Sequence, residues 1–215
     1  MNHEGHEDTK DTKKKDLLFF ISLCPSCLRV LCGFLILGLI MFSAVGCTGG
    51  GRLALRSTER DTAVLVGNFN RGFYGFVDRN RVDVLLIDGD PDNPKQAVHL
   101  NMYWQPRAGK TPIDSNATNA TINYIVFNPD GAGVYSGAGF LLPQTDPGES
   151  TLRADVLEAS LRLMDASESF ADPLGLTTAS GGFTARRNDL ATQRALRQIR
   201  VLLGDKLGYP RLVGR

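Results

Sequence analysis

The chain has 215 residues, with 24 Lys and Arg against 23 Asp and Glu, a formal net charge of +1, and 42% hydrophobic residues. Such a composition is ordinary for a globular protein and excludes a collagen-like or disordered chain. The near-zero net charge argues against a dedicated nucleic-acid binder, and no nucleic-acid partner is expected.

Residues 1–16 are polar and repetitive, with Asp-Thr-Lys at 8–10 and again at 11–13. Repeats of this kind follow from a repetitive coding stretch, and the true start is expected downstream, near Val30. All four cysteines (Cys24, Cys27, Cys32 and Cys47) lie in the first 47 residues, and His99 is the one histidine beyond them. Cys24-Pro-Ser-Cys27 has redox or metal spacing, but no second ligand pair accompanies it and no βαβ pattern surrounds it, so no function is assigned to it.

From Val30 to Val45 the chain is apolar or small, VLCGFLILGLIMFSAV. Sixteen residues fall short of the roughly 20 of a comfortable membrane span and suit a signal-peptide core. The run ends in Ser43-Ala44-Val45-Gly46-Cys47, followed by Thr48 and three glycines. This resembles the lipobox of bacterial lipoproteins, although that family prefers Leu where Ala44 stands.

The resemblance implies cleavage before Cys47, acylation of its thiol, and a permanent membrane attachment, since each buried CH₂ contributes about 0.8 kcal/mol. Thr48 in place of Asp favours the periplasmic face of the outer membrane, by the same resemblance. An uncleaved inner-membrane anchor and a non-lipidated signal peptide are the alternatives. The chain therefore divides into a leader (1–29), a signal core with lipobox (30–46), the acylated Cys with a Gly-rich flexible tether (47–60), and one globular domain (61–215).

Strand signals dominate that domain. Short β-rich runs begin at Thr62 and Gly72. Val82–Asp88 and Gln96–Trp104 flank the turn formers Gly89–Lys95 and read as a hairpin. In the second arm Val98, Leu100, Met102 and Trp104 alternate with Ala97, His99, Asn101 and Tyr103, the pattern of a strand with one buried face and a solvent-facing His99. Gln105–Ala120 reads as a long loop. Thr121–Phe127 and Val134–Leu142 are further strands.

Residues 151–166 carry helix-forming types, yet Leu157, Ala159, Leu161 and Leu163 alternate with polar residues and Met164. The alternation favours a strand with a bulge near Val156-Leu157, with a helix as the alternative. Residues 176–186 read as the last strand. Asn188 caps a helix over 189–206 that ends at Gly208, with Leu196, Ile199, Leu203 and Leu207 on one stripe. The expected fold is mainly β with one C-terminal α-helix, an antiparallel β-sandwich-like domain.

No catalytic motif appears. Asp88, Asp90 and Asp92 alternate as in a hard-cation loop, but Asn93 and His99 stand where an EF-hand needs Gly and Glu. An acidic hairpin turn is the plain reading, and no metal or cofactor is assigned. The glycines of 131–139 precede no helix, as a phosphate cradle requires, and suit close packing of Tyr135 and Phe140. Asn116 and Asn119 head glycosylation sequons that a lipobox-bearing chain would not use.

Arg194, Arg197 and Arg200 fall on the helix side away from the leucines, placed to meet an anionic surface, either lipid headgroups or an acidic envelope polymer. Together these features favour a non-enzymatic envelope module that binds or scaffolds another envelope component. Two alternatives remain: a glycan or peptide hydrolase drawing paired carboxylates from Asp78, Asp83, Asp88, Glu158 and Asp165, and a lipid or small-ligand carrier.

Overall fold

The computed structural model describes residues 49–103 and 118–209. Contacts divide the chain into two compact units, Met1–Gly46 and Cys47–Arg215, and every described residue belongs to the second. The leader with its Cys24-x-x-Cys27, the lipobox with Cys47, Trp104, most of the 105–120 loop, and Asn116 lie outside the described residues.

Nine strands carry the fold: β1 (Gly50–Ser57), β2 (Val64–Phe69), β3 (Arg71–Phe76), β4 (Val82–Asp90), β5 (Asn93–Met102), β6 (Ala120–Asn128), β7 (Gly131–Pro143), β8 (Thr151–Ala166) and β9 (Thr177–Arg187). One helix among the described residues, α1 (Asp189–Leu207), follows β9. The expectation of a β-rich domain with one C-terminal helix is met.

The sandwich is corrected. Two facing sheets would leave edges, whereas here β9, β3, β4, β5, β6, β7 and β8 form one hydrogen-bonded ring of seven strands. Neighbours pair antiparallel except at the closure, where Arg186 and Arg187 run parallel to Phe73 and Tyr74 of β3. Strand β1 pairs with the lower part of β9, and β2 pairs with β1.

Alternation alone does not distinguish a sandwich from a barrel, because both bury every second residue. Bulges decide it. The β8 ladder shifts register between Val156 and Ala159, where Glu158 takes φ 37°, and Gly181 faces this break at φ 141°. A Cβ at Gly181 would lie 2.1 Å from the Arg52 carbonyl oxygen, so only glycine lets β1 come this close. The bulge falls where the sequence pattern placed it.

A second correction concerns the tether. Residues 50–57 of the expected flexible segment are β1, paired along its whole length with β9. The glycines there serve close approach: a Cβ on Gly49 would sit 2.4 Å from the Thr184 carbonyl oxygen, and one on Gly51 would meet the Phe183 Cβ at 2.5 Å.

Side chains fill the barrel. Tyr74, Tyr124 and Tyr135 are fully buried inside it with Leu53, Leu55, Leu86, Leu100 and Met102. Each tyrosine hydroxyl is satisfied: Tyr74 donates to the Glu149 carbonyl, Tyr124 to Gln96, and Tyr135 to Asp172 at 2.7 Å. Phe69 meets Tyr124 edge-on at 6.0 Å between centroids.

A separate apolar layer lies outside the wall. Leu196, Ile199, Leu203 and Leu207 of α1 pack on Leu85, Ile87, Ala97, Ile125, Ala132 and Val134. Asn188 accepts a hydrogen bond from the Ala191 amide at 2.9 Å, and Gly208 closes the helix at φ 77°. Because α1 covers this face, β5 is buried on both sides. His99, expected to face solvent, is 2% exposed.

Candidate functional site

Strands β4 and β5 place Asp83 opposite Asn101, and Leu85 opposite His99, on the outer wall. His99 Nε2 lies 3.0 Å from Asp83 Oδ1, and Asn101 donates to the same oxygen at 2.6 Å. Burial pushes the Asp83 carboxyl up; the hydrogen bond and charge of His99, the Asn101 amide and the Arg200 charge outweigh it, and the net shift is downward. The far ring nitrogen, His99 Nδ1, is buried and makes no hydrogen bond.

A cleft of about 290 Å³ opens between α1 and the β3–β4 wall. Phe76, Asp83, Asp189, Gln193, Arg197 and Arg200 line it. Asp189 sits in the first helical turn, where a carboxylate is favoured, and its Oδ1 accepts from the Phe76 amide at 2.9 Å. Arg187 lies over the Phe76 ring at 5.1 Å and holds that wall. The cleft thus carries two carboxylates and two guanidinium groups around an aromatic side chain.

A general acid needs a carboxyl held above its ordinary range, and Asp83 is shifted the other way. The imidazole is no candidate base for a ligand in the cleft, because His99 does not line it. Ser136, two strands from His99, donates instead to Asn123 Oδ1 at 2.7 Å.

Of the five carboxylates considered for a hydrolytic pair, Asp83 alone reaches the cleft. Asp78 pairs with Arg81 in the β3–β4 turn, Glu158 occupies the β8 bulge, and Asp165 accepts from Tyr209. Asp88 lies near enough to Tyr124 for its charge to raise that phenol. The carboxylate that does share the cleft with Asp83 is Asp189, marked in the sequence only by its place after the Asn188 cap.

In the Asp88–Asn93 turn the carboxylates of Asp90 and Asp92 bond within the protein. Asp90 accepts the Asp92 amide at 3.0 Å, as a turn residue does, and Asp92 accepts from Gln198 of α1. Among the described residues no three His, Cys, Asp or Glu side chains gather around a common point.

The three arginines part company. Arg194 and Arg197 are exposed, whereas Arg200, one turn after Leu196, turns half-buried toward Asp83. The glycines of β7 serve packing as expected: a Cβ on Gly137 would meet the Ser160 carbonyl oxygen at 1.9 Å, and one on Gly133 the Phe170 ring at 2.2 Å. Asn119 is fully buried and bonds both the amide and the carbonyl of Leu141, at 2.6 and 2.9 Å, so its sequon is closed to modification.

Among the described residues no helix is long and apolar enough to cross a membrane. No protein-family model, curated protein or solved structure matches this chain.

Proposed function

We propose that the chain is a membrane-anchored envelope lipoprotein whose barrel is a non-enzymatic binding or scaffolding module. The lipobox-like Val45-Gly46-Cys47 supports the anchor, and the barrel supports the module. One observation carries the second half. Of the two carboxylates in the cleft, Asp83 is hydrogen-bonded to His99 and Asn101 and feels the charge of Arg200, and Asp189 accepts from the Phe76 amide, while Arg197 stands exposed at the rim.

Such a rim recognises a carboxylate or phosphate on a partner, and the aromatic Phe76 beside it offers an apolar contact. A carrier would need an empty barrel. Here three buried tyrosines and a full set of aliphatic side chains occupy the interior.

Two measurements test the reading. Metabolic labelling with an alkyne fatty acid, comparing wild type with Cys47→Ser, addresses the anchor: label and membrane attachment lost together support it, and attachment without label in either form overturns it. A photo-crosslinking residue at Gln193, in the cleft, addresses the module. A discrete adduct that disappears with Arg197→Ala supports binding there. Turnover of an envelope glycan or peptide, abolished by Asp83→Asn or Asp189→Asn, would replace the binding reading with a hydrolytic one.

A further inference from the structure

The cleft between α1 and the β3–β4 wall is electrically balanced, and its charges are ordered along the helix. Asp83 and Asp189 are its acidic lining residues and Arg197 and Arg200 its basic ones, so their formal charges cancel. A balanced cleft draws no polyanion from a distance. It favours a ligand whose own charges balance and fall in the complementary order.

One end of the order is set where β9 gives way to α1. Strand β9 runs beside β3 as far as Arg187 opposite Tyr74, and the Asn188 amide still donates to the Tyr74 carbonyl at 2.9 Å. There the chain leaves the sheet and the helix begins. The Phe76 amide, next in line on the vacated edge of β3, therefore donates to Asp189 Oδ1 at 2.9 Å. One carboxylate oxygen is used in this way, and Oδ2 remains as an acceptor on an exposed residue that lines the cleft.

Helical spacing sets the other end. Asp189, Gln193 and Arg197 recur every four residues and all three line the cleft, so they follow one another along the side of α1 that borders it. Eight residues of helix place the first and last Cα atoms about 12 Å apart. All three side chains are exposed, whereas Asp83 and Arg200 are half-buried. Asp83 Oδ1 is already taken by His99 and Asn101, and the charge of Arg200 acts on the same carboxyl. The outer pair, Asp189 and Arg197, is what a ligand meets. Phe76 lies on the facing wall, steadied by Arg187 over its ring.

An extended peptide spans such a distance in about three residues. A cleft of about 290 Å³ stands near the lower bound of small-molecule sites and admits a short segment, not a folded partner. A dianionic phosphate would gain Arg197 but set its second charge among two carboxylates.

We propose that the cleft binds a short zwitterionic peptide segment, its free carboxyl end on Arg197 and an amine about three residues away on Asp189 Oδ2. The intervening amides then meet Gln193, and an apolar side chain rests on Phe76. This deepens the binding reading given above and rests on it.

Calorimetric titration of the full chain, purified in a non-ionic detergent, with the tripeptide Ala-Leu-Ala provides the test. The free tripeptide should bind, and N-acetylation or C-amidation should each weaken it about two- to fivefold at low salt, as one exposed ion pair does. Both differences should shrink in about 1 M salt. Arg197→Ala should erase the distinction between acid and amide while keeping that between amine and acetyl; Asp189→Asn should do the reverse. Where Asp189→Asn fails to fold, the blocked peptides on the wild-type protein give the same answer. Leucine alone, with both charges on one carbon, should bind more weakly than the tripeptide. Equal binding of the free and acetylated tripeptides, or of inorganic phosphate and the free tripeptide, overturns the zwitterion. So does the absence of any peptide binding. In each of these cases an Arg197-dependent adduct at Gln193 leaves the binding reading standing, and its absence overturns both.

Discussion

His99 and Asp83 face each other across adjacent strands, Nε2 to Oδ1 at 3.0 Å, beneath a helix that leaves His99 2% exposed. In outline this is half of a catalytic triad. The carboxyl is shifted downward, and the far imidazole nitrogen, Nδ1, is buried without a hydrogen bond.

Asp83 gives the domain an acid limit. Its carboxyl is depressed below the ordinary 3.8, so the stability it adds is present above about pH 4 and is lost as pH falls through the folded value. Asp83→Asn should flatten the acid side of a stability-versus-pH curve measured by urea unfolding, while leaving the neutral-to-alkaline side parallel to wild type.

Removing Asp83 strands the imidazole. Asp83→Leu alone should cost about 2 kcal/mol, because His99 is then buried with neither nitrogen paired to the carboxylate. The double substitution with His99→Leu should recover part of that loss. A double-mutant cycle read by urea denaturation measures the coupling.

The alkaline limit belongs to the interior tyrosines. Burial, followed by the charge of Asp88 on Tyr124 and the hydrogen bond to Asp172 on Tyr135, raises both phenols above the ordinary 10.0. Stability should be complete below pH 10 and fall as pH rises toward the folded values. Spectrophotometric titration should show these two ionising only as the barrel unfolds, and Tyr124→Phe and Tyr135→Phe should each soften the fall.

Helix docking separates into a cap and a core. Asn188→Ala should cost about 1 kcal/mol through the lost bond to the Ala191 amide. Leu203→Ala, fully buried between α1 and the wall, should cost about 2–5 kcal/mol. The sites lie four turns apart and should add within roughly 0.5 kcal/mol in thermal or chemical unfolding.

Gly137 tests the close approach of β7 and β8. With the Ser160 carbonyl oxygen 1.9 Å from where a Cβ would stand, Gly137→Ala should destabilise by about 1–3 kcal/mol. Gly148→Ala has open space around its Cβ but must hold a φ of 125° that L residues rarely adopt, so it should destabilise in the same unfolding assay through backbone strain alone.

Local chemistry was legible in the sequence wherever neighbours in the chain decide it. The β4–β5 hairpin, the Asn188 cap, the Gly208 stop and the Val156–Ala159 bulge were all readable from spacing. The face on which α1 settles was not, because that is set by which outer residues of β4 to β7 are apolar, a two-dimensional pattern spread over 50 residues of chain. His99 therefore read as exposed. The glycines at 49–51 read as flexible for a related reason: a residue without a side chain looks the same whether it allows motion or close contact. Arg200 was misplaced by one helical turn's geometry, since a long side chain at the edge of the leucine stripe can reach under it. Asp189 gave no signal as a partner of Asp83, because their meeting depends on that same docking.

Closure of the barrel through β9 has a consequence for biogenesis. The strand that completes the wall, Thr177–Arg187, pairs with β1, β3 and β8 at once, and its contacts span most of the domain. Until the chain has been made past Arg187, all three of those strands present unpaired backbone, the kind of edge that recruits other chains. The nascent domain must therefore be sheltered for nearly its whole length. A stop or cleavage anywhere before residue 177 should yield an aggregating fragment, never a smaller stable barrel.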